Sequence, residues 1–390
     1  MTDTAPFDFG PVLQIMLAGA ALAAVALAWL RLRTRGQSSA QWLRALTVLT
    51  LFLTFDLVLF GAFTRLSDSG LGCPDWPGCY GSATPLGAKA DISAAQAAMP
   101  SGPVTHQKAW IEMVHRYLAT GVGALILILT IASWRHWLRA RPRPQADGLN
   151  PWWPTATLVW VCVQGAFGAF TVTMKLFPAI VTLHLLGGLL LLTLLAIQTE
   201  KQIRADTGAS RVVVDSTTRK LLGLASGMLV VQLALGGWVS TNYAVLVCTD
   251  FPTCQGSWWP QMRFDEGFQI WRALGMTRDG DNISFPALTA IHYAHRLMAY
   301  AVLAVLALLA LRLRRVDGLK HMSRWIGGLA ALQLASGLGN VVLGWPLIAA
   351  LGHTGGAAAL VLALTWTFSV SCVAPSGVRN MAAMPARSLQ

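Results

Sequence analysis

Charged side chains are scarce in this sequence. Asp, Glu, Lys and Arg together make up 12% of its 390 residues, whereas apolar residues make up 55%. Soluble globular domains carry about 25% charged residues, so this composition excludes an ordinary soluble domain. The apolar run at residues 11–30 is long enough to cross a bilayer at roughly 1.5 Å of rise per residue. We therefore predict an integral membrane protein.

Nine apolar runs of this kind predict nine transmembrane helices and an all-α fold. They cover residues 11–30, 43–65, 109–134, 153–174, 178–199, 219–240, 286–313, 323–345 and 347–371.

Every second connection between these helices lacks an excess of Lys and Arg. The formal net charge of +12 is concentrated instead in residues 31–44, 135–143, 200–220 and 312–324. This positive-inside pattern argues against a nucleic-acid partner, and it predicts a periplasmic N-terminus and a cytoplasmic C-terminus. The first residues, MTDTAPFDFG, lack the Arg-rich pattern of a transit peptide. We expect a multi-pass protein that lies in the lipid bilayer of a bacterial inner membrane.

Two loops and several single residues recur at fixed offsets, which predicts an internal duplication. The segments CPDWPGCYGS (73–82) and CTDFPTCQGS (248–257) share Cys, Asp, Pro, Cys, Gly and Ser at identical spacing, 175 positions apart. The dipeptide His-Arg occurs at 115–116 and again at 295–296. A Gln precedes a His by 20 residues at positions 164 and 184, and again at 333 and 353.

The duplication predicts two pseudo-repeated four-helix bundles, with one extra N-terminal transmembrane helix outside the repeat. The predicted units are residues 1–42 (extra helix and cytoplasmic loop), 43–199 (first half), 200–218 (cytoplasmic linker), 219–372 (second half) and 373–390 (cytoplasmic tail).

Four histidines are predicted to lie at one depth of the membrane, about two turns inside the outer ends of their helices: His115, His184, His295 and His353. A hydrogen bond between helices would explain any one of them alone. Two neutral imidazoles from facing helices are also suitable axial ligands for haem iron. Because the four are paired by the repeat, we predict one haem site in each half. Asp56, deeper in the second helix, is expected to be a further buried acid without an assigned role.

Each half also carries polar residues beside its first histidine. Arg116 and Arg296 are predicted to pair with haem propionates, although snorkelling toward the membrane interface would explain them too. Glu112 precedes His115 by three residues, whereas His292 takes the matching place in the second half. A buried carboxylate can move protons or stabilise a cation on a macrocycle. We therefore predict that Glu112 is catalytic and that the first half performs the chemistry; an ordinary interface carboxylate is the alternative.

The cysteines of each long outer connection are too few for a zinc site of their own. They form two close pairs on the oxidising side, where disulfides are permitted: Cys73 with Cys79, and Cys248 with Cys254. A disulfide across so short a loop stabilises a fold by only about 2 kcal/mol. One interpretation is that the pairs are redox-active dithiols over the openings of the haem sites. The second is that they are structural disulfides, and the third is a zinc site shared by all four cysteines. The cysteines at positions 162 and 372 are expected only to pack.

Five motifs in the sequence resemble the heme A synthase family. They are GAFTRLSDSGLGCPDWPGCYG (61–81), EMVHRYLA (112–119), HLLGG (184–188), HYAHR (292–296) and GHTGG (352–356), within residues 43–372. The resemblance implies that heme O is converted to heme A by oxidation of one ring methyl to a formyl group through successive hydroxylations. This product serves the assembly of haem-copper cytochrome oxidases. The implied partners are heme O, the farnesyltransferase that produces it and an electron donor that the sequence does not name.

The family's residue roles can be carried over to matching positions of this chain. The resemblance implies that one histidine pair holds the substrate heme O and the other a haem b cofactor: His115 with His184, and His295 with His353. It places the catalytic glutamate at Glu112 and the family's cysteine pair at Cys73 and Cys79. The extra helix at 11–30 and the second cysteine pair depart from the usual family pattern, so their roles stay open.

Two functions from other classes compete with this interpretation. A diheme b-type electron-transfer cytochrome would use four level histidines equally well, but it would need neither Glu112 nor the cysteine loops. A haem carrier or assembly chaperone would bind haem without converting it.

Overall fold

The computed structural model describes residues 9–140 and 150–373, and these residues form an almost entirely helical protein. The eleven helices in the described ranges are α1 (Gly10–Arg33), α2 (Ser39–Leu66), α3 (Lys89–Ala98), α4 (His106–Ala140), α5 (Trp152–Thr173), α6 (Pro178–Thr207), α7 (Ser216–Thr241), α8 (Phe264–Gly267), α9 (Phe285–Leu313), α10 (Lys320–Val342) and α11 (Leu347–Val370). Nine of them, all but α3 and α8, are long and apolar enough to cross a membrane. The predicted all-α membrane fold is confirmed.

Polar capping residues let the helices extend beyond their apolar runs. The Ser38 side chain accepts a hydrogen bond from the backbone N–H of Gln41, and the Gln41 side chain accepts one from the Ser38 N–H, which is a capping box at the start of α2. At the other end of the first half, α6 continues to Thr207 and ends at Gly208, whose φ is +65°. The first eight residues of the predicted linker, 200–207, are therefore helical.

The rest of the linker, between α6 and α7, lies at the end of the protein that carries the arginine-rich segments. Strand β1 (Val212–Val214) pairs in parallel with strand β2 (Ser371–Val373), which directly follows α11. Arg219 at the start of α7 donates to the Phe368 carbonyl at 2.7 Å and to the Ser371 carbonyl at 3.0 Å. Arg141, Arg143 and residues 374–390, which belong to the predicted cytoplasmic segments, lie outside the described residues.

The largest apolar clusters lie toward this arginine-rich end. One is formed by α1, α2, α4 and α6, and includes Leu43, Leu46, Leu125, Ile126, Leu129 and Leu195. The other is formed by α7, α9, α10 and α11, and includes Leu222, Leu306, Leu309, Leu313, Ile326 and Leu364. Apart from Val214 of the predicted linker, the second cluster lies within the predicted second half, whereas the first also includes residues of the extra helix α1. The duplication stays a prediction.

The extra helix α1 packs against α4, the helix that carries Glu112 and His115. The two backbones approach closely at Gly19, where a Cβ would lie 2.5 Å from Thr120 Cγ2. Ile15 joins the buried cluster that contains both cysteines of the first loop. The extra helix therefore supports the first half from the side.

Two expectations about single residues were wrong. Asp56 is exposed on the surface of α2 and is not buried. It continues a stripe with Val48 and Phe52, which are 43% and 60% exposed, because residues four apart share one face of a helix. Cys162 is likewise exposed and does not pack in the interior.

Candidate functional site

The four predicted haem-ligand histidines lie toward the end of the bundle that carries residues 67–105 and 242–284, which we call the loop end. His184 and His353 lie six residues after the first residue of their helices, and His115 and His295 lie nine and ten residues after the first residue of theirs. His115 lies near His184, and His295 lies near His353. The structure therefore brings together, within each half, the two histidines that the sequence pairs.

Each histidine ring lies against a glycine of a neighbouring helix. A Cβ at Gly61 or Gly236 would lie 3.0 Å from Cε1 of His115 or His295, respectively. In the same way, a Cβ at Gly168 would lie 3.5 Å from Cε1 of His184, and one at Gly337 would lie 3.3 Å from Cε1 of His353. Gly61 and Gly236 were not foreseen from the sequence, although they recur at the same offset of 175 as the cysteine loops.

A glutamine packs behind the second histidine of each half. Gln164 lies on Gly187 and Gln333 on Gly356, where a Cβ would come within 1.9 Å and 2.4 Å of the respective Nε2 atom. Gln333 Nε2 donates to the His353 carbonyl at 3.0 Å. The buried amide of Gln164 has no hydrogen-bond partner in the described part of the chain.

The two histidine pairs differ in the surroundings of Nδ1. In the second half, Nδ1 of His295 lies 3.1 Å from Gln232 Nε2, and Nδ1 of His353 lies 2.9 Å from Ser336 Oγ. In the first half, both Nδ1 atoms are buried without a hydrogen-bond partner among residues 9–140 and 150–373: those of His115 and His184. The rings of the second half are thus held in place by polar contacts that the first half lacks.

Both cysteine pairs form disulfides, as predicted: Cys73–Cys79 and Cys248–Cys254. A zinc site shared by the four cysteines is excluded in this state, because disulfide sulfur is not the thiolate that zinc requires. All four residues are fully buried. A redox role for the pairs stays a prediction.

An aspartate folds each cysteine loop in the same way. Asp75 accepts backbone hydrogen bonds from Tyr80 and Gly81 at 2.6 and 2.8 Å. Asp250 accepts the equivalent bonds from residues 255 and 256 at 2.7 and 3.0 Å. The Thr253 hydroxyl and these N–H groups together lower the pKa of Asp250 to about 2. The repeated motif thus encodes one local structure, an Asp-centred turn closed by a disulfide.

The arginines of the two His-Arg dipeptides hold these loops. Arg116 donates to the carbonyls of Pro77 and Gly78 at 3.0 and 2.5 Å. Arg296 donates to the carbonyls of Thr253 and Asp250 at 2.7 and 3.2 Å. Each guanidinium therefore ties a histidine-bearing helix to the cysteine loop of its own half. Their pairing with haem propionates stays a prediction.

Glu112 joins the first cysteine loop to the first histidine helix. Its side chain is buried; Oε2 accepts the Cys73 N–H at 2.8 Å, and Oε1 accepts from Arg116 at 2.5 Å. In the second half, His292 is buried in the matching place and its Nδ1 lies 2.8 Å from the Ala244 carbonyl. The predicted asymmetry thus places a carboxylate on one side and an imidazole on the other, and the bond to Cys73 was not foreseen from the sequence.

Known proteins resemble this chain over most of its length. The family described as "Cytochrome oxidase assembly protein" matches residues 44–365. The heme A synthase of Shewanella oneidensis is 39% identical over 320 residues, which are 81% of this chain and 92% of that relative. The heme A synthase of Caulobacter vibrioides is 28% identical over 342 residues (80% and 91%), and that of Rhizorhabdus wittichii is 24% identical over 354 residues (85% and 93%).

Proposed function

This chain belongs to the cytochrome oxidase assembly protein family, and we propose that it is a heme A synthase. It oxidises one ring methyl of heme O to a formyl group by successive hydroxylations, in support of cytochrome oxidase assembly. The family inferred from the five sequence motifs is confirmed. The multi-pass membrane fold agrees with a substrate that carries a long apolar tail and is delivered within the bilayer.

The observation that carries this function is the position of Glu112 in the half whose histidines are not held at Nδ1. Glu112 lies one helical turn from His115, and two donors, the Cys73 N–H and Arg116, hold its carboxylate in place. A preorganised negative charge opposes the positive charge that develops on the substrate ring when its methyl group is oxidised. The same carboxylate can accept a proton released in that step.

The two histidine pairs divide the work between the halves. His115 and His184 bind the substrate heme O, and their freedom at Nδ1 suits a ligand that must arrive and leave. His295 and His353 would hold a haem b; Ser336 contacts the His353 ring at Nδ1, and Gln232 lies beside the His295 ring. When bound by His295 and His353, this haem would supply one-electron transfer.

The residues present fit such groups. The glycines beside the four imidazoles leave the rings in contact with helix backbone, where a Cβ would displace them. The unpartnered Nδ1 atoms and the Gln164 amide of the first half are buried polar groups that the described protein leaves unsatisfied, as expected beside a site for a polar-edged ligand.

The proposed partners follow from the reaction. Heme O reaches the first half from the farnesyltransferase that makes it, and an electron donor serves the haem b of the second half. The basic segments face the cytoplasm and the cysteine loops face the periplasm of a bacterial inner membrane. In a variant without Cys162 and Cys372, Ser101→Cys is expected to react with an impermeant thiol reagent from outside, and Gln37→Cys only after lysis. The reverse labelling would refute this orientation.

The function is tested by pigment analysis. Cells that make heme O are grown with and without this protein, and their extracted haems are separated. Heme A is expected only in cells that contain the protein, and Glu112→Gln at the same protein level separates conversion from binding. If the pigments stay as heme O, the protein is an electron-transfer cytochrome or a haem carrier instead.

A further inference from the structure

One face of α10 is fitted to the ring of His353. Gln333, Ser336 and Gly337 lie on this face at helical spacing. Gln333 bonds the His353 backbone carbonyl, Ser336 contacts the ring at Nδ1, and Gly337 lies against Cε1. These contacts meet the ring at Nδ1 and Cε1, and none of them is at Nε2.

The contacts of Ser336 favour one position of the proton on the His353 ring. Its Oγ lies 2.7 Å from the Leu332 carbonyl, 3.4 Å from the Gln333 carbonyl and 2.9 Å from Nδ1 of His353. A serine hydroxyl has one proton to donate and two lone pairs with which to accept. A carbonyl cannot donate, so when the hydroxyl proton goes to Leu332, the shortest of the three contacts, Oγ is left to accept from Nδ1–H. In this tautomer the Nε2 lone pair is free to bind a metal.

We propose that Ser336 is a positioning residue that fixes His353 in the iron-binding tautomer and lowers the reduction potential of the haem in the second half. The inference rests on the proposed function, in which His295 and His353 hold a haem b. A hydrogen bond from the outer ring nitrogen makes an imidazole a more basic ligand. A more basic ligand stabilises the ferric state relative to the ferrous state, and this makes the haem a better reductant.

The first half lacks this arrangement at the matching position. Its corresponding helix face reads Gln164, Phe167 and Gly168, so a phenyl ring stands where the second half has the hydroxyl. Nδ1 of His184 is accordingly buried without a partner in the described chain. The contact is thus specific to the half that keeps its haem through the reaction and does not exchange it.

The test is a redox titration of the purified protein in detergent, followed through its low-spin haem signal. Ser336→Ala is expected to retain this signal and to raise its midpoint potential. A tenfold loss of the preference for ferric iron corresponds to about 59 mV for a one-electron couple. Ser336→Thr, which keeps the hydroxyl, is expected to restore the wild-type potential. An unchanged potential in Ser336→Ala would overturn the proposal.

The chain offers a matched control in Ser226. Its hydroxyl donates to the Leu222 carbonyl at 2.9 Å, four residues back on α7, in the same way as that of Ser336. Ser226→Ala is expected to leave the potential unchanged, and an equal shift in both alanine variants would contradict a specific role for Ser336. If Ser336→Ala does not accumulate, Ser336→Cys, a weaker acceptor, is expected to give a smaller upward shift; no shift would again overturn the proposal.

A separate variant tests the site on which the inference rests. His353→Ala is expected to abolish the low-spin signal of the second half. If that signal persists, the histidine assignment of the proposed function is wrong. If it disappears while Ser336→Ala behaves as wild type, only the role of Ser336 is wrong.

Discussion

The Tyr243 hydroxyl donates a hydrogen bond to Asp68 Oδ1 at 2.7 Å, across a separation of 175 residues. Beside it, Arg65 donates to the Ser240 carbonyl at 2.6 Å, again across 175 residues. Because 175 is also the offset between the cysteine loops, each of these residues contacts its own counterpart in the other half. Contacts between equivalent positions are those expected around a two-fold axis. They support the predicted duplication, and they join the two halves at the loop end.

We expect Asp68→Asn to weaken this junction in a pH-dependent way. Burial alone would raise the pKa of Asp68, but the hydrogen bonds from Tyr243 and Lys108 hold it below its usual value. A lowered pKa stabilises the folded state above the unfolded-state pKa, and this stabilisation is lost as the pH falls through the folded-state pKa. The variant should therefore lose about 0.2–1 kcal/mol at pH 7.

Thermal unfolding of the purified protein between pH 7 and pH 3 measures this effect. The Tm difference between wild type and Asp68→Asn should shrink as the pH falls, because wild-type Asp68 becomes neutral as well. A Tm difference that stays constant over this range would show that the carboxylate charge does not contribute.

The charge of Glu112 is expected to act in the reaction and not in haem binding. Glu112→Gln keeps an oxygen that can accept the Cys73 N–H, so the loop contact survives while the charge is lost. Removal of one electrostatic stabiliser costs ~10²–10³ in rate. We expect normal haem occupancy with accumulation of heme O or a partly oxidised intermediate.

A second buried carboxylate provides the control for Glu112. Glu266 accepts the Ser284 N–H in the outer connection of the second half. Glu266→Gln should leave heme A formation per folded protein unchanged. If Glu112→Gln produces as much heme A as the wild type at equal haem occupancy, Glu112 only anchors the loop and its charge does not act in the reaction.

Loss of the first disulfide is expected to lower heme A yield more than loss of the second. Replacement of Cys73 and Cys79 by Ser should lower heme A yield while the amount of folded protein stays normal, because this loop contacts Glu112 directly. The same change at Cys248 and Cys254 should have a weaker effect, since that loop covers the half without the carboxylate. Haem extraction and quantification of the purified variants measure both. If yield and folded protein fall together in the first pair, the disulfide is only structural.

Gly236 is expected to be required for the haem of the second half. An added Cβ would lie 3.0 Å from Cε1 of His295, so Gly236→Ala should displace the ring and lower haem b content. Gly227 on the same helix has nothing within 4 Å of such a Cβ. Gly227→Ala should therefore keep full haem content and gain about 0.5–1 kcal/mol in stability. Equal haem content in the two variants would contradict the inference that the His295 ring needs the space beside Gly236.

Much of this protein could be predicted from its sequence because the bilayer makes the relevant rules local. A helix that crosses a membrane satisfies its own backbone, so an apolar run of sufficient length is enough to identify it. The depth of the four histidines follows from counting residues along those helices, and the cysteine pairs follow from their short spacing. The family was recognisable from five short motifs, because each motif is a continuous stretch of the sequence.

The rotation of each helix about its own axis was decided only by the tertiary structure. Rotation depends on packing against neighbours, and those contacts join residues far apart in the chain. For this reason Asp56 was wrongly expected inside the bundle, although it belongs to the exposed face of α2. The same limit applies to Glu112, whose bond to Cys73 spans 39 residues.

The difference between the two histidine pairs has the same origin. The positions of Ser336 and Phe167 can be read from the sequence, but only the packing of α10 on α11 brings the Ser336 hydroxyl to Nδ1 of His353. The sequence by itself thus determined which groups the protein has and where along their helices they lie. The fold decided which of them contact one another, because a hydrogen bond depends on distances of a few tenths of an ångström that no spacing along the chain specifies.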